Sequence, residues 1–224
     1  MTVPTIVFDL DGTLVDTAPD LADTLNAVFA KEGLPPVPYD AARAAIGDGA
    51  RAMIARGLEA ERRAVAPDLL ERLFADFIAH YSAHIADRSR PYPGVEAALD
   101  HFAARGYRLA VCTNKLERLS VQLLQTLHLA ARFAAICGQD TFGVQKPDPA
   151  ILRRTIEAAG GDARAAIMVG DSATDIRTAR AAGIPVVAVD FGYSAPPVAK
   201  FQPDRLIGHF DALPAAVAEL LAPD

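Results

Sequence analysis

Short apolar runs that alternate with helical patterns constrain the fold of this 224-residue chain more than any other feature. Between the runs, leucines recur every three or four residues, as at Leu116, Leu119 and Leu123, which is typical of an amphipathic helix. The apolar runs have the length of buried strands, and they lie at residues 6–8, 107–112, 134–137, 165–169 and 185–189. Alternating strands and helices predict an α/β fold, with a parallel sheet covered by helices on both faces.

One segment interrupts this alternation soon after the first apolar run. Residues 17–85 contain helical patterns and no strand candidate. A proline-rich stretch at 35–38 divides the segment, and Pro91–Gly94 marks the return to strands and helices. The sequence therefore predicts an all-helical cap domain at 17–85, inserted into a core made of residues 1–16 and 86–224.

Composition narrows the classes of function. The net charge is −6, which argues against nonspecific binding to nucleic acids or anionic membranes. No apolar stretch is long enough to span a bilayer, and no basic residue precedes Asp9, so neither an anchor nor a secretory signal is expected. Cys112 and Cys137 are too few for a disulfide framework or a thiolate metal site. These features favour a cytoplasmic protein without nucleic-acid or membrane partners.

Four acidic residues follow two of the apolar runs. Asp9 and Asp11 end the first run, and residues two apart on a strand project to the same side. Asp171 and Asp175 come just after the fourth run. If the two strands are neighbours, four carboxylates share one small region, which requires protons or a bound cation. Oxygen donors without clustered His or Cys suit Mg²⁺.

Helix capping is an alternative role for the second pair of acids. Aspartate is a common N-cap where a strand leads into a helix, and the spacing of Ser172 and Asp175 resembles a capping box. Capping explains less well why two acids flank Leu10 at the end of an apolar strand. Both roles stay open for Asp171 and Asp175 considered individually.

Two further positions favour the binding of an anion. Thr113 and Asn114 follow the second run and precede a leucine-patterned helix, whose N-terminus can bind an anion. Lys146, one of four lysines, follows the third run and would neutralise charge opposite Asp9 and a phosphate group. Each residue alone has an ordinary explanation, as an N-cap or as a solvated surface lysine.

Taken together and in order, the four segments resemble the motifs of the haloacid dehalogenase superfamily. They are Asp9–Thr13, Thr113, Lys146 and Gly170–Asp175, and they cover nearly the whole chain. The resemblance implies a Rossmann-like core with a helical cap inserted after the first motif. That position coincides with the segment that contains helical patterns only.

The resemblance also implies a phosphatase mechanism. Asp9 would be the nucleophile, and Lys146 would neutralise charge beside it. Asp11 would protonate the leaving group and later deprotonate water. Its presence argues against a dehalogenase, which needs no proton for the leaving group.

Metal and phosphate ligands follow from the same resemblance. Asp9, Asp171 and the backbone carbonyl of Asp11 would bind Mg²⁺, and Asp175 would ligate or support the metal. Thr113 and Asn114 would hold phosphate oxygens.

The segments Ile46–Arg51 and Phe191–Tyr193 are similar to those of bacterial phosphoglycolate phosphatases. On this basis Gly47 would allow the backbone to approach the substrate, and Arg51 would bind a small carboxylate. An equally open alternative is that Arg51 is a surface residue. The expected partner is a small phosphorylated metabolite, and a monomer or a small homo-oligomer is expected.

Other activities use the same core. A sugar-phosphate phosphatase and a mutase of the β-phosphoglucomutase type are the enzymatic alternatives. A phosphate-binding regulator is the non-enzymatic one, although a regulator has no need of both Asp9 and Asp11.

Overall fold

The computed structural model describes residues 3–63 and 65–222. Within these residues the chain forms eight strands: β1 (Thr5–Phe8), β2 (Val15–Asp16), β3 (Arg90–Pro91), β4 (Arg108–Cys112), β5 (Ala135–Cys137), β6 (Ala166–Gly170), β7 (Val186–Val189) and β8 (Arg205–Ile207). The same described ranges contain nine α-helices: α1 (Ala18–Lys31), α2 (Tyr39–Ala44), α3 (Ala50–Ala60), α4 (Pro67–Ala83), α5 (Val95–Ala103), α6 (Glu117–Thr126), α7 (Pro149–Ala158), α8 (Ala173–Ala182) and α9 (Leu213–Leu221). None of these helices is both long and apolar enough to span a bilayer.

Six of the strands form one parallel sheet in the order β5-β4-β1-β6-β7-β8. The five apolar runs correspond to β1, β4, β5, β6 and β7, so the predicted α/β fold is confirmed. The sequence analysis missed β8, an edge strand in which Arg205 and Leu206 are exposed and only Ile207 is buried. A strand with one buried residue has no apolar run by which it could be recognised.

Alternate residues of β1 point to opposite faces of the sheet, and each face has its own core. Ile6 and Phe8 pack with residues of α5 and α9, including Leu99 and Leu213. Val7 lies in a second core, formed with residues of α7 and α8. Because both faces are covered, every residue of the central strand is buried, and Ile6, Val7 and Phe8 form the continuous apolar run that the sequence indicated.

Helices α1 to α4 occupy the segment for which only helices were predicted. The strands β2 and β3 pair antiparallel where the chain enters and leaves this segment. The buried carboxylate of Asp20 accepts hydrogen bonds from the backbone N–H groups of Arg88 and Ser89, at 3.0 and 2.8 Å. These bonds tie the start of the cap to its end. The boundaries at 16/17 and 85/86 stay a prediction.

Candidate active site

The candidate catalytic residues meet at the carboxyl ends of three neighbouring strands. Asp9 follows β1, Thr113 follows β4 and Asp171 follows β6. Since β4 and β6 pair with β1 on either side, the three loops lie at one edge of the sheet. This edge is where ligands bind in open parallel sheets.

Lys146 is buried at the centre of this group, with only 2% of its surface exposed. Its Nζ donates a hydrogen bond to Asp175 Oδ1 at 2.6 Å and lies 2.9 Å from Asp9 Oδ1. The contact with Asp9 is an ion pair without hydrogen-bond geometry, so Asp9 Oδ1 accepts no hydrogen bond from the described residues. Burial opposes the charge on Lys146, but Asp175 and Asp9 outweigh it and raise the pKa of the ammonium. Lys146 is therefore a permanent cation beside Asp9.

Asp171 is held by two donors from different parts of the chain. The hydroxyl of Thr13 donates to Oδ1 at 3.1 Å, and the backbone N–H of Tyr193 donates to Oδ2 at 2.7 Å. The backbone at Gly12 adopts φ +82°, and a Cβ there would lie 2.6 Å from Asp171 Oδ2. Only glycine fits at this position. The sequence analysis did not assign Thr13 or Tyr193 a role, although it quoted the segments that contain them.

Asp175 has the capping role that the sequence left open. Its Oδ2 accepts hydrogen bonds from the backbone N–H and the hydroxyl of Ser172, at 3.1 and 2.6 Å, and its own N–H donates to the Ser172 hydroxyl. The capping box at the start of α8 is therefore present. The other oxygen of Asp175 accepts from Lys146. Asp175 thus fixes the helix terminus and the lysine that faces Asp9.

Three of the carboxylates are arranged as a divalent cation requires. One oxygen from each of Asp9, Asp171 and Asp175 lies within 4.8 Å of the others. Burial raises the pKa of both Asp9 and Asp171, and Asp175 adds to the shift, while Lys146 opposes it. Three carboxylates facing one ammonium leave two excess negative charges, which one Mg²⁺ would balance. This set of oxygen donors and its excess negative charge fit the metal.

The carboxylate of Asp11 points to a different partner. Its Oδ1 accepts hydrogen bonds from Lys115 Nζ and from the Thr17 hydroxyl, both at 2.7 Å. It does not belong to the cluster of three carboxylates, and the metal role predicted for Asp11 concerned its backbone carbonyl, which stays a prediction. Lys115 stands directly after Thr113 and Asn114, but no local pattern in the sequence indicates its bond to Asp11.

Asn114 makes bonds that differ from the role predicted for it. Its side-chain amide donates to the carbonyl of Lys146 at 3.1 Å and to that of Gly47 at 3.3 Å, and its Oδ1 accepts from the Lys146 N–H at 2.9 Å. The side chain therefore positions the backbone at Lys146 and connects it to Gly47 of the cap. Phosphate binding by Asn114 and by the buried Thr113 stays a prediction.

A cavity of about 50 Å³ lies between the cap and the strand ends. Most of its lining is apolar, which is usual for a small-molecule site. The lining residues are Asp9, Asp11, Leu21, Ile46, Gly47, Gly49, Ala50, Met53, Phe74, Phe77, Ile78, Tyr81, Thr113, Asn114, Lys115, Leu116, Leu119 and Gln139. Gly47 is among these lining residues, and its backbone adopts φ +116°, while its approach to a substrate stays a prediction.

Arg51 is the predicted site residue that the structure does not bring into this cavity. It is absent from the described residues that form the lining. Its guanidinium binds both carboxylate oxygens of Glu71 at 2.8 Å and stacks on the ring of Phe74. With 47% of its side chain exposed, Arg51 corresponds to the surface alternative, and the expectation of a carboxylate clamp is corrected accordingly.

Comparison with known proteins agrees with this geometry. The model of the haloacid dehalogenase-like hydrolase family matches residues 6–189. The chain is 53% identical to a phosphoglycolate phosphatase of Mesorhizobium japonicum, covering 99% of this chain and 97% of that protein. It is 47% identical to a phosphoglycolate phosphatase of Agrobacterium fabrum, covering 97% and 94%. A crystal structure described as a predicted phosphoglycolate phosphatase of Haemophilus somnus superposes with a TM-score of 0.89, at 30% identity, over 96% and 98% of the two chains.

Proposed function

Because the chain belongs to the haloacid dehalogenase-like hydrolase family, we propose that it is a Mg²⁺-dependent phosphatase that converts 2-phosphoglycolate to glycolate and phosphate. The observation that carries the proposal is the position of the Asp9 carboxylate. This carboxylate lines the cavity, and its Oδ1 lies 2.9 Å from the buried ammonium of Lys146. The relatives named phosphoglycolate phosphatase and the small cavity support the choice of substrate.

In the first step an oxygen of Asp9 attacks the phosphorus atom, and the bond between phosphorus and the ester oxygen breaks. Asp11 lines the same cavity and donates a proton to that ester oxygen, so glycolate leaves as an alcohol. The product of this step is an aspartyl-phosphate on Asp9. Lys146 stays charged throughout and balances the negative charge that builds up beside Asp9.

In the second step Asp11 acts as the base. It accepts a proton from a water molecule, whose oxygen attacks the phosphorus atom of the aspartyl-phosphate. The bond between phosphorus and the Asp9 oxygen breaks, phosphate leaves, and both aspartates return to their starting states. When bound, Mg²⁺ would neutralise charge on the transferring phosphoryl group, and Asp9 and Asp171 are the side chains that would hold it.

The alternative functions on the same core differ from the proposed one in the size of the ligand or in the catalytic groups that they require. Ordinary ligand sites have volumes of about 300–1,000 Å³, so a cavity of about 50 Å³ favours a very small ester over a hexose phosphate. A regulator that only binds phosphate has no use for a proton donor beside the nucleophile. Release of free phosphate, rather than transfer within a sugar, would separate a phosphatase from a mutase.

The test is a phosphate-release assay on a panel of small esters that includes 2-phosphoglycolate and glucose 1-phosphate. We expect turnover with Mg²⁺, none in EDTA, recovery when Mg²⁺ is restored, and inhibition by Ca²⁺, whose larger and looser coordination shell misplaces the nucleophile. Full activity in EDTA would contradict the metal assignment. Mg²⁺-dependent turnover confined to larger esters would contradict the substrate.

A further inference from the structure

The cavity contains one basic side chain among its described lining residues, that of Lys115. Only 6% of this side chain is exposed, and Nζ lies 2.7 Å from Asp11 Oδ1. Burial opposes its charge, but Asp11 and, to a smaller extent, Tyr81 favour it, and the net effect raises the pKa of the ammonium, so Lys115 is a cation. A lysine ammonium has three N–H donors, and Asp11 uses one of them.

Tyr81, on the last turn of α4, contributes a second polar group to the same part of the cavity. Its ring centroid lies 4.6 Å from Lys115 Nζ, and the residue is 1% exposed. The hydroxyl has no hydrogen-bond partner among the described residues. Burial raises the pKa of Tyr81 to about 12, so its hydroxyl keeps its proton and can donate. Buried hydroxyls without partners are rare in proteins, and this one belongs to a residue that lines the cavity beside Lys115, which points to a polar ligand there.

The position of Lys115 relative to Asp11 specifies where that ligand lies. A proton donor must come within about 2.6–3.2 Å of the ester oxygen that it protonates. In 2-phosphoglycolate a single methylene separates this oxygen from the carboxylate carbon. A cation bonded to Asp11 is therefore within reach of the carboxylate when the ester oxygen is in place.

We propose that Lys115 and Tyr81 form the subsite that binds the carboxylate of the substrate, and that they select phosphate esters with an acid group one carbon from the ester oxygen. This inference rests on the proposed phosphatase function and deepens it. It assigns to two residues of the cavity wall the role that the sequence suggested for Arg51. Arg51 cannot supply the charge where it lies, because Glu71 binds its guanidinium at the surface.

A simpler role for Lys115 would be to hold Asp11 in place. That role predicts an equal loss of activity on every ester, whereas carboxylate binding predicts a loss that depends on the carboxylate. The experiment therefore compares two substrates within each protein. One is 2-phosphoglycolate, and the other is 2-hydroxyethyl phosphate, in which a hydroxymethyl group replaces the carboxylate.

The quantity to measure is the ratio of kcat/KM for the two esters, in Mg²⁺. Lys115→Met should lower the ratio by about 10–150-fold, the range expected for a hydrogen bond to a charged group. Tyr81→Phe removes one oxygen atom and should lower it by about 2–10-fold, as for a neutral donor. Arg51→Ala is the matched control, a cationic side chain of the cap outside the cavity, and should leave the ratio unchanged.

Several results would overturn the proposal. One is an equal loss on both esters in Lys115→Met together with an unchanged ratio in Tyr81→Phe. Another is a ratio that falls in Arg51→Ala instead. A wild-type protein that hydrolyses both esters equally well would also overturn it, while leaving the phosphatase function intact. Absence of Mg²⁺-dependent turnover on any ester would instead contradict the proposed function itself. If Lys115→Met fails to fold, Lys115→Gln and the conservative Tyr81→Phe provide the same comparison.

Discussion

The two walls of the cavity are built in opposite ways. The core wall, formed by Asp9, Asp11, Thr113 and Asn114, belongs to a dense network of buried charges and hydrogen bonds. The cap wall is largely apolar, with side chains such as Phe74 and Ile78. Two exposed arginines of the cap, Arg51 and Arg56, form ion pairs with Glu71 and Asp48 of the same domain.

Most of the core wall serves phosphoryl transfer, and the cap wall limits which esters can enter the cavity. Asp9, Asp11, Thr113 and Asn114 can treat every phosphate ester alike, because they address the phosphoryl group and the ester oxygen, whereas Lys115 on the same wall has the proposed role of binding the carboxylate. The cap wall excludes water and limits size, and few of its groups can form hydrogen bonds with a substrate. Substitutions of these four residues should therefore affect all esters, and substitutions at the cap surface should affect few or none.

The largest effect is expected on the core wall. Asp9→Asn should abolish turnover, a loss of about 10⁴-fold or more, because an amide is a poor nucleophile. Phosphate release with 2-phosphoglycolate and with p-nitrophenyl phosphate measures the loss, and circular dichroism checks that the fold is retained. Substantial residual activity on either ester would show that Asp9 is not the nucleophile.

Asp11→Asn should cost about 10²–10⁴-fold on 2-phosphoglycolate, the usual contribution of general acid–base catalysis. The loss should be smaller for p-nitrophenyl phosphate, whose leaving group needs little protonation. Initial rates for both esters test this difference. If the losses are equal, Asp11 is not the acid.

Removing the buried cation should destabilise the protein. Lys146→Met leaves Asp9 and Asp175 without their partner, and breaking a buried ion pair costs about 3–5 kcal/mol. Urea unfolding in EDTA measures the change in the free energy of unfolding. Lys200→Met, on the exposed surface, is the matched control and should shift it by no more than about 0.5 kcal/mol. Equal stability of the two variants would mean that the ammonium of Lys146 does not stabilise the folded protein.

Stability of the metal-free protein should fall as the pH rises from about 4 to 8. The pKa of Asp9 is raised to about 7 and that of Asp171 to about 8, chiefly by burial. In this range the folded protein binds more protons than the unfolded chain, whose carboxyl pKa is about 4, so raising the pH favours unfolding.

Melting temperatures in EDTA across this range test the prediction. Mg²⁺ should flatten the profile at high pH, since it replaces the protons, and Asp171→Asn should reduce the slope. A metal-free profile that rises between pH 5 and 8 would contradict the assignment.

The smallest effect is expected at the surface of the cap. Arg51→Ala removes an exposed ion pair with Glu71, and such pairs contribute about 0–1 kcal/mol. Thermal unfolding and kcat/KM for 2-phosphoglycolate should both stay near the wild-type values. A large loss of activity confined to 2-phosphoglycolate would return Arg51 to the site and remove the distinction between the two walls.

Much of the fold and part of the site could be read from the sequence, because the signals are local. A central parallel strand is apolar along most of its length, so β1, β6 and β7 appear as continuous runs. Residues that follow parallel strands lie at one edge of the sheet, so Asp9, Thr113 and Asp171 could be assigned to the same edge. Only the structure showed that β4 and β6 are the neighbours of β1, which brings the three residues close together.

Tertiary structure decided which side chains are partners. Arg51 pairs with Glu71 because α3 packs against α4, and helical periodicity gives the face of a residue but not the residue opposite it. The bond from Lys115 to Asp11 joins loops that follow two different strands, and nothing near either residue indicates it. The same holds for Tyr193, whose N–H reaches Asp171 and whose hydroxyl donates to Asp16 beside the cap. Such contacts depend on distances between elements that are set only when the whole chain has packed.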